Sequence, residues 1–478
     1  MSFVSLSFAC VYLVAMLLRT ATRGSRTMYV FGLLALSWIF YAWNVPEYIV
    51  LILFSTSVDY AAARLLAATP ASSQRLRRGL LAVSLAMHLG LLAYFKYAAF
   101  IIRSFAELTT GFGSSLGDSA LPDLVLPIGI SFYTFQSMSY TIDVYRGRIA
   151  AETSFIRLAC YIAFFPHLVA GPIVRGSEFL YQLMRRRRFR LTVFGEGAYL
   201  ILRGLFLKVV VADNLGQIID AHWKSAAASE PHGALALSLL VFFACQLFCD
   251  FAGYTDIARG LAYQLGFRLP INFNAPYLAT TFTDFWRRWH ITLSSWMRDY
   301  VYIPLGGNRH GYTRASLNLL LVMLVSGLWH GANWTFVAWG AILGVAVFLE
   351  RTLGMTRGLV AKPVVAIWYI VVQMAWILSL GMFRAENVGE GARIISNAIA
   401  GIAAFPAAGI AIPDTQGAIA MGWWFVFPVV ALHVRALATE QWGVRSPSVL
   451  EKSIYGGAML AAILTLYTVS REFIYFQF

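Results

Sequence analysis

The stretch ASLNLLLVMLVSGLWHGANWTFVAWGAILGVAVFL, Ala315 to Leu349, contains no Asp, Glu, Lys or Arg. As one helix it would measure about 50 Å, against a hydrocarbon core of about 30 Å. It reads as one long tilted helix or as two membrane spans, and Gly331-Ala332-Asn333 favours two, broken at those residues. The one side chain in it that titrates in the physiological range is His330. With the first span entering beside Arg314, His330 lies roughly 20 Å deep. An ionisable group at that depth is costly and faces the protein interior or a wet cavity. A neutral imidazole offers one donor and one acceptor. That suits a general base for a hydroxyl and equally a structural bond to a neighbouring helix, and position alone leaves both open.

The rest of the chain has the same character. Its 478 residues are 59% hydrophobic and 13% charged, where a soluble domain carries about 25% charged residues. Spanning helices need about 20 mostly apolar residues. Good candidates are 2–18, 28–45, 48–68, 80–102, 124–142, 234–252, 315–332, 334–349, 363–383, 391–412, 418–436 and 453–470, with weaker ones at 155–173 and 196–212. The expectation is an all-α polytopic membrane protein of roughly 10–14 spanning or re-entrant helices. No soluble domain or internal repeat interrupts it, so 1–478 reads as one transmembrane domain. The first run lacks a basic leader and reads as a retained anchor.

The net charge of +14 is clustered. Arg19, Arg23 and Arg26 follow the first span. Arg75, Arg77 and Arg78 form another group, then Arg185, Arg186, Arg187, Arg188 and Arg190, then Arg287, Arg288, Arg298, Arg309 and Arg314. Such clusters mark cytoplasmic loops and attract anionic lipid. The segment 104–123, with Glu107, Asp118 and Asp123, falls outside. Spans separate the clusters, which argues against nucleic-acid binding. Cys10, Cys160, Cys245 and Cys249 lie in apolar segments and read as small buried hydrophobes, without metal spacing. His88, His167, His222, His232, His310 and His433 show no ligand spacing either, so no metal site is expected. There is no GxSxG elbow and no P-loop.

Pro122, Pro127 and Gly129 break one span, and Pro166, Gly171 and Pro172 break FPHLVAGPIVR. Broken backbone at membrane depth needs protein or a wet cavity around it, so these are re-entrant segments or ordinary kinks. In TDFWRRWHITLSSWMRDY, Trp286, Trp289, Leu293, Trp296 and Tyr300 recur at helical spacing. They read as one interfacial helix, with Trp at headgroup level, Arg towards water and His290 bordering the stripe. A cavity from His290 near the cytoplasmic surface to His330 deep inside would bring a cytoplasmic donor to an outer acceptor. Asp250, Asp256, Asn272, Asn274 and Asp284 read as caps and buried hydrogen-bonding groups.

Taken together, LPIGISFYTFQSMSYTIDVYRG, FPHLVAGPIVR, DFAGYTDIARG, FNAPYLATTFTDFWRRWHITLSSWMRDYVYIPLGGNR, GLWHGANWTFVAWG and the ending REFIYFQF resemble the membrane-bound O-acyltransferase family. Within it they resemble the bacterial branch that acetylates exported polysaccharide such as alginate. The resemblance is strongest over about 90–350. It implies a helical shell around a thin central cavity in the bacterial inner membrane, His330 as the catalytic histidine of the WHG motif, and His290 as the second. It implies acetyl-CoA as a donor substrate, with no resident cofactor, and a periplasmic or membrane-anchored SGNH-type acetyltransferase as partner. Arg287 and Arg288 are candidates for the donor's phosphates, as is the Arg185–Arg190 run. Trp329, Asn333, Asp256, Asn272 and Asp284 are candidates for the substrate or tunnel lining, and Trp329, Asn333 and Trp334 for oxyanion donors. Peptidoglycan O-acetylation and D-alanyl transfer to a cell-wall polymer are the alternatives within the class. A transporter or channel, which would tolerate Asn or Gln at 330, and a structural scaffold are the alternatives outside it.

Overall fold

A computed structural model describes residues 3–43, 45–110, 126–185, 189–228, 233–355, 362–408, 416–445, 447–468, 471 and 473–474. The expectations for Asp118, Pro122, Asp123, Arg186, Arg187, Arg188 and His232, and for most of the REFIYFQF ending, fall outside these residues. Hydrocarbon offers backbone groups no partners, so an apolar run must close its hydrogen bonds within itself as a helix. The described residues are mostly helical, without strands, and eight helices are long and apolar enough to cross a membrane.

In chain order the helices are α1 (Leu6–Ala21), α2 (Arg26–Ala42), α3 (Tyr48–Ala68), α4 (Gln74–Leu92), α5 (Ala98–Thr110), α6 (Ile130–Tyr145), α7 (Phe155–Ala163), α8 (Phe165–Leu168), α9 (Gly176–Met184) and α10 (Leu191–Leu205). They continue as α11 (Asp213–Ala226), α12 (Gly233–Leu265), α13 (Phe282–Arg288), α14 (Ile291–Met297), α15 (Gly311–His330) and α16 (Trp334–Thr352). The last four are α17 (Lys362–Arg384), α18 (Val388–Ala408), α19 (Gln416–Trp442) and α20 (Val449–Leu466). Ser5, Ser25, Ser154, Thr281, Asn333 and Ser448 accept a first-turn N–H and so mark helix starts. The span expected over 155–173 is instead two short helices and a loop. The backbone turns extended at Phe164, and Pro166 opens the short α8.

The chain forms two compact units, 1–198 with 258–270 and 199–257 with 271–478. In the first, α3 packs on α4 and α6. Their shared interior holds the fully buried Asp59. Ser84 Oγ donates to it at 2.7 Å, His88 Nε2 at 2.9 Å and Thr141 Oγ1 at 3.3 Å. His88 is thus the partner of a buried carboxylate. The broken FPHLVAGPIVR segment is pinned by Ser37, which accepts the Phe165 N–H at 3.1 Å, and by Tyr161, which donates to the Val174 carbonyl at 2.8 Å. Cys10, expected to be buried, is exposed on α1, whereas Cys160, Cys245 and Cys249 are buried.

In the second unit, Lys208 bridges Asp213 and Asp250 at 2.8 Å each, and Asp250 also accepts the Ile474 N–H at 2.7 Å. The 315–349 run breaks at 331–333, giving the α15–α16 hairpin. Lipid provides no hydrophobic drive between helices, so small residues let backbones approach and gain dispersion contacts. A Cβ on Gly327 would lie 2.3 Å from the Phe336 carbonyl oxygen, and one on Gly340 2.5 Å from that of Met323. The obstacle is backbone at both positions, so the hairpin cannot yield. Gly340→Leu is therefore expected to destabilise it by at least ~1–3 kcal/mol, read as a lowered melting temperature in detergent. An unchanged Tm would contradict this close approach.

Candidate active site

The site is assembled at helix breaks in the second unit. After α12 the chain runs irregularly to Thr281, whose side chain accepts the Asp284 N–H at 3.0 Å and opens α13. Seven residues make a weak helix, and a second acceptor holds it. Fully buried Glu350, near the end of α16, takes the Thr283 N–H at 3.0 Å, the Thr283 hydroxyl at 2.8 Å and the Phe282 N–H. Trp368 Nε1 adds a fourth bond at 3.3 Å.

α13 stops at Arg288, and His290 takes the left-handed conformation, φ +40°, which costs a non-glycine residue about 1–3 kcal/mol. Backbone pairing across the break offsets that cost. The Ile291 N–H donates to the Asn272 carbonyl and the Asn274 N–H to the Arg288 carbonyl, each at 2.9 Å. The continuous interfacial helix expected over 286–300 is therefore two short helices with a kink between them. Trp289 and Trp296, expected at headgroup level, are 2% and 3% exposed and face protein.

Asn272 Oδ1 gathers three donors: His290 Nδ1 at 3.1 Å, the Thr292 N–H at 3.2 Å and the Thr292 hydroxyl at 2.8 Å. An amide oxygen only accepts, so Nδ1 carries the hydrogen and Nε2 holds the lone pair. Nε2 is buried and has no hydrogen-bond partner among the described residues. Phe251 meets the ring edge-on at 4.6 Å. His290 lies outside the eight candidate spans, and burial lowers its pKa to about 3.

His330 is the last residue of α15. Trp329, Trp339 and Phe383 wall its ring at 5.0, 5.2 and 5.4 Å between centroids. Gly331 follows for a steric reason, since a Cβ there would lie 2.0 Å from the Phe336 ring. Trp329 also packs on His290, at 6.0 Å. One indole thus packs against both imidazoles.

Beside this cluster lies a hollow of about 680 Å³, within the range of small-molecule sites. Ile291, next to His290, and Ser326, one turn before His330, line it, with Arg287, Arg298 and Arg351. Arg298 is paired with Asp299 at 2.7 Å, and Arg351 bonds Asn308 at 3.2 Å. Arg287 is exposed and has no acidic partner among the described residues. The hollow holds a net positive edge on a mostly apolar wall, which suits a ligand with anionic groups at one end.

Of the residues singled out in the sequence, His290, His330, Trp329 and Asn272 come together, and Arg287 lines the adjoining hollow. Arg288 does not line it, because it is bound to Asp284 at 2.9 Å and bidentately to Glu440 at 2.9 and 3.0 Å. Asp256 is paired with Arg203 at 2.7 Å. Asn333 caps α16 and donates to the Glu386 carbonyl at 3.0 Å, and Trp334 is half exposed. Sequence reasoning missed Glu350, Arg351, Trp339 and Phe383. Glu350 carried a signal, as the first charge after a long uncharged run.

The unfolded imidazole takes up a proton below about pH 6.5, and folded His290 only near pH 3. Its contribution to stability is thus complete above about pH 6.5 and falls as the pH drops below it. Nitrogen NMR of histidine-labelled protein is expected to show His290 neutral and Nδ1-protonated from pH 5 to 8. In Asn272→Leu the Nδ1–H loses its acceptor, at about 1–3 kcal/mol, and the tautomers should mix. A protonated His290 at pH 6 would refute the assignment.

Residues 146–388 match the sequence model of the membrane-bound O-acyltransferase family. The chain is 41% identical over 364 residues to the probable alginate O-acetylase AlgI of Pseudomonas putida, covering 76% of this chain and 73% of that one. It is 35% identical to the peptidoglycan O-acetyltransferase of Helicobacter pylori, over 76% and 72% of the two chains. It is 30% identical to the teichoic acid D-alanyltransferase of Streptococcus thermophilus, over 54% and 65%. The chain belongs to the membrane-bound O-acyltransferase family and is an acyltransferase.

Proposed function

We propose that this acyltransferase takes an acetyl group from acetyl-CoA and directs it to hydroxyls of an exported polysaccharide such as alginate, in the bacterial inner membrane, with His330 as general base. The observation that carries the reading is the placement of His330, walled by aromatic rings at the end of α15 and one turn beyond Ser326, which lines the arginine-edged hollow. Arg287 and its neighbours at that edge suit the phosphates of CoA, and the apolar wall suits the pantetheine arm. The similarity to an alginate O-acetylase, broader and higher than to a D-alanyltransferase, supports polysaccharide as acceptor.

The chemistry is balanced acyl transfer. A hydroxyl oxygen attacks the thioester carbonyl carbon while His330 takes its proton. The tetrahedral centre collapses, the C–S bond breaks, and the imidazolium returns the proton to the departing sulfur. A group near pKa 3 is a poor base for a hydroxyl at neutral pH, so His290 serves through its Nε2 lone pair as a hydrogen-bond acceptor and orients the reactants. Asn333 uses its amide oxygen as a cap and one amide N–H on the Glu386 carbonyl, and its second N–H is the candidate oxyanion donor. The attacking hydroxyl belongs to an intermediate acceptor, and a periplasmic or membrane-anchored SGNH-type acetyltransferase then moves the acetyl group from that ester to a sugar hydroxyl, freeing the acceptor's hydroxyl.

Acetyl-ester content of exported polysaccharide and of peptidoglycan is to be measured in cells carrying wild type, His330→Ala or His330→Gln at matched membrane abundance. Both variants are expected to lose ester from the exported polysaccharide, by roughly 10²–10⁴ in rate for a lost general base. Loss from peptidoglycan instead would reassign the acceptor. Unchanged ester in His330→Gln would overturn the base and favour a transport role.

A further inference from the structure

The turn between α1 and α2 encloses a second hollow, of about 530 Å³. Arg19, Arg23 and Arg26 line it, together with Thr20, Thr22 and Ser25 and with Met16, Tyr29, Phe189 and Leu265. Arg19 donates to the Gln264 carbonyl and lies 5.5 Å from the Phe189 ring centre. Arg26 donates to the carbonyls of Leu183 and Gln182 at 2.8 and 2.6 Å, with its guanidinium 5.3 Å from the centre of Tyr29. These contacts fix the orientation of the guanidinium groups and cancel none of their charge. Arg23 is exposed, and among the described residues neither it nor Arg19 has a carboxylate partner. Among the described residues the lining contains no Asp or Glu.

Clustered cations with no carboxylate among them repel one another, and a bound anion relieves the repulsion. Guanidinium forks match phosphate oxygens, which accept two parallel N–H bonds. The same lining carries Met16, Phe189 and Leu265, so the phosphate that fits best carries hydrocarbon with it. The hollow sits where the apolar α1 ends and α2 begins, at the level a headgroup occupies when those helices lie in a bilayer. Phe189 belongs to the arginine-rich run, and Arg190 follows it directly.

We infer that this hollow binds the phosphate headgroup of an anionic phospholipid, with Arg23 as the cation that closes on it. The arginines after the first apolar helix are then a lipid site as well as a mark of topology. The inference stands apart from the catalytic reading, because every residue it uses lies in the first unit and none belongs to the candidate active site.

The test is native mass spectrometry of the full chain in detergent with phosphatidylglycerol, phosphatidylethanolamine or inorganic phosphate. Wild type is expected to retain phosphatidylglycerol over phosphatidylethanolamine. Arg23→Gln should lower that retention about fivefold, the effect of one cation at an anionic surface, and Arg23→Glu should abolish it. Arg75→Gln, at another exposed arginine, should leave it unchanged. The exposed Arg23 side chain has no carboxylate partner among the described residues, so its variants are expected to keep the wild-type melting temperature without added lipid. Equal retention of the two lipids, an Arg23→Glu variant indistinguishable from wild type, or equal loss in Arg75→Gln would overturn the site. Saturable binding of inorganic phosphate that displaces phosphatidylglycerol would also overturn the lipid as ligand, by showing that the pocket reads phosphate alone.

Discussion

Within hydrocarbon, every backbone N–H and C=O must find its partner inside the protein. A continuous helix meets that demand by itself. A broken one meets it only where side chains stand in for the missing turns, and the candidate site is built at such breaks. Asn333 takes the second amide of α16 (that of Thr335), Thr281 and Glu350 take the first amides of α13, and strand-like pairing of 272–274 with 288–291 satisfies the backbone around His290. Elsewhere Ser37 and Tyr161 do the same for the interrupted segment after α7. Reactive groups and helix interruptions coincide because an interrupted helix is what can present a side chain to an interior space.

The surroundings then divide the work by polarity. Aromatic rings enclose both imidazoles and keep charge away from them, while guanidinium groups stand at the edge of the neighbouring hollow. Cationic and apolar lining lie within a few residues of each other in sequence, from Arg287 to Ile291. Acids that could quench the arginines are mostly engaged elsewhere: Asp284 and Glu440 hold Arg288, and Glu350 is turned to backbone amides.

Much of this was legible in the residues. An uncharged run too long for one crossing, with Gly331 and Asn333 inside it, announced a helical hairpin and a buried histidine at its bend. The kink at His290 was not legible, because the Trp286, Trp289, Leu293 and Trp296 spacing fits a continuous helix. What breaks it is tertiary pairing with 272–274, which local periodicity does not encode. Arg288 and Arg287 were indistinguishable as neighbours in sequence. Only the arrival of Glu440 from 152 residues away separates them. Trp339 and Phe383 read as ordinary apolar residues, since nothing local marks a ring that will face an imidazole.

The reach of Glu350 also bears on how the protein is made. The α13 segment leaves the ribosome before the acceptor for its first amides, some 67 residues further along, exists. A helix of that length does not persist unsupported. The arginine wall therefore stays unformed while α14 and α15 are synthesised, and it closes once α16 has been delivered. Biogenesis therefore leaves the first turn of α13 without its carboxylate acceptor until both arms of the α15–α16 hairpin have been made.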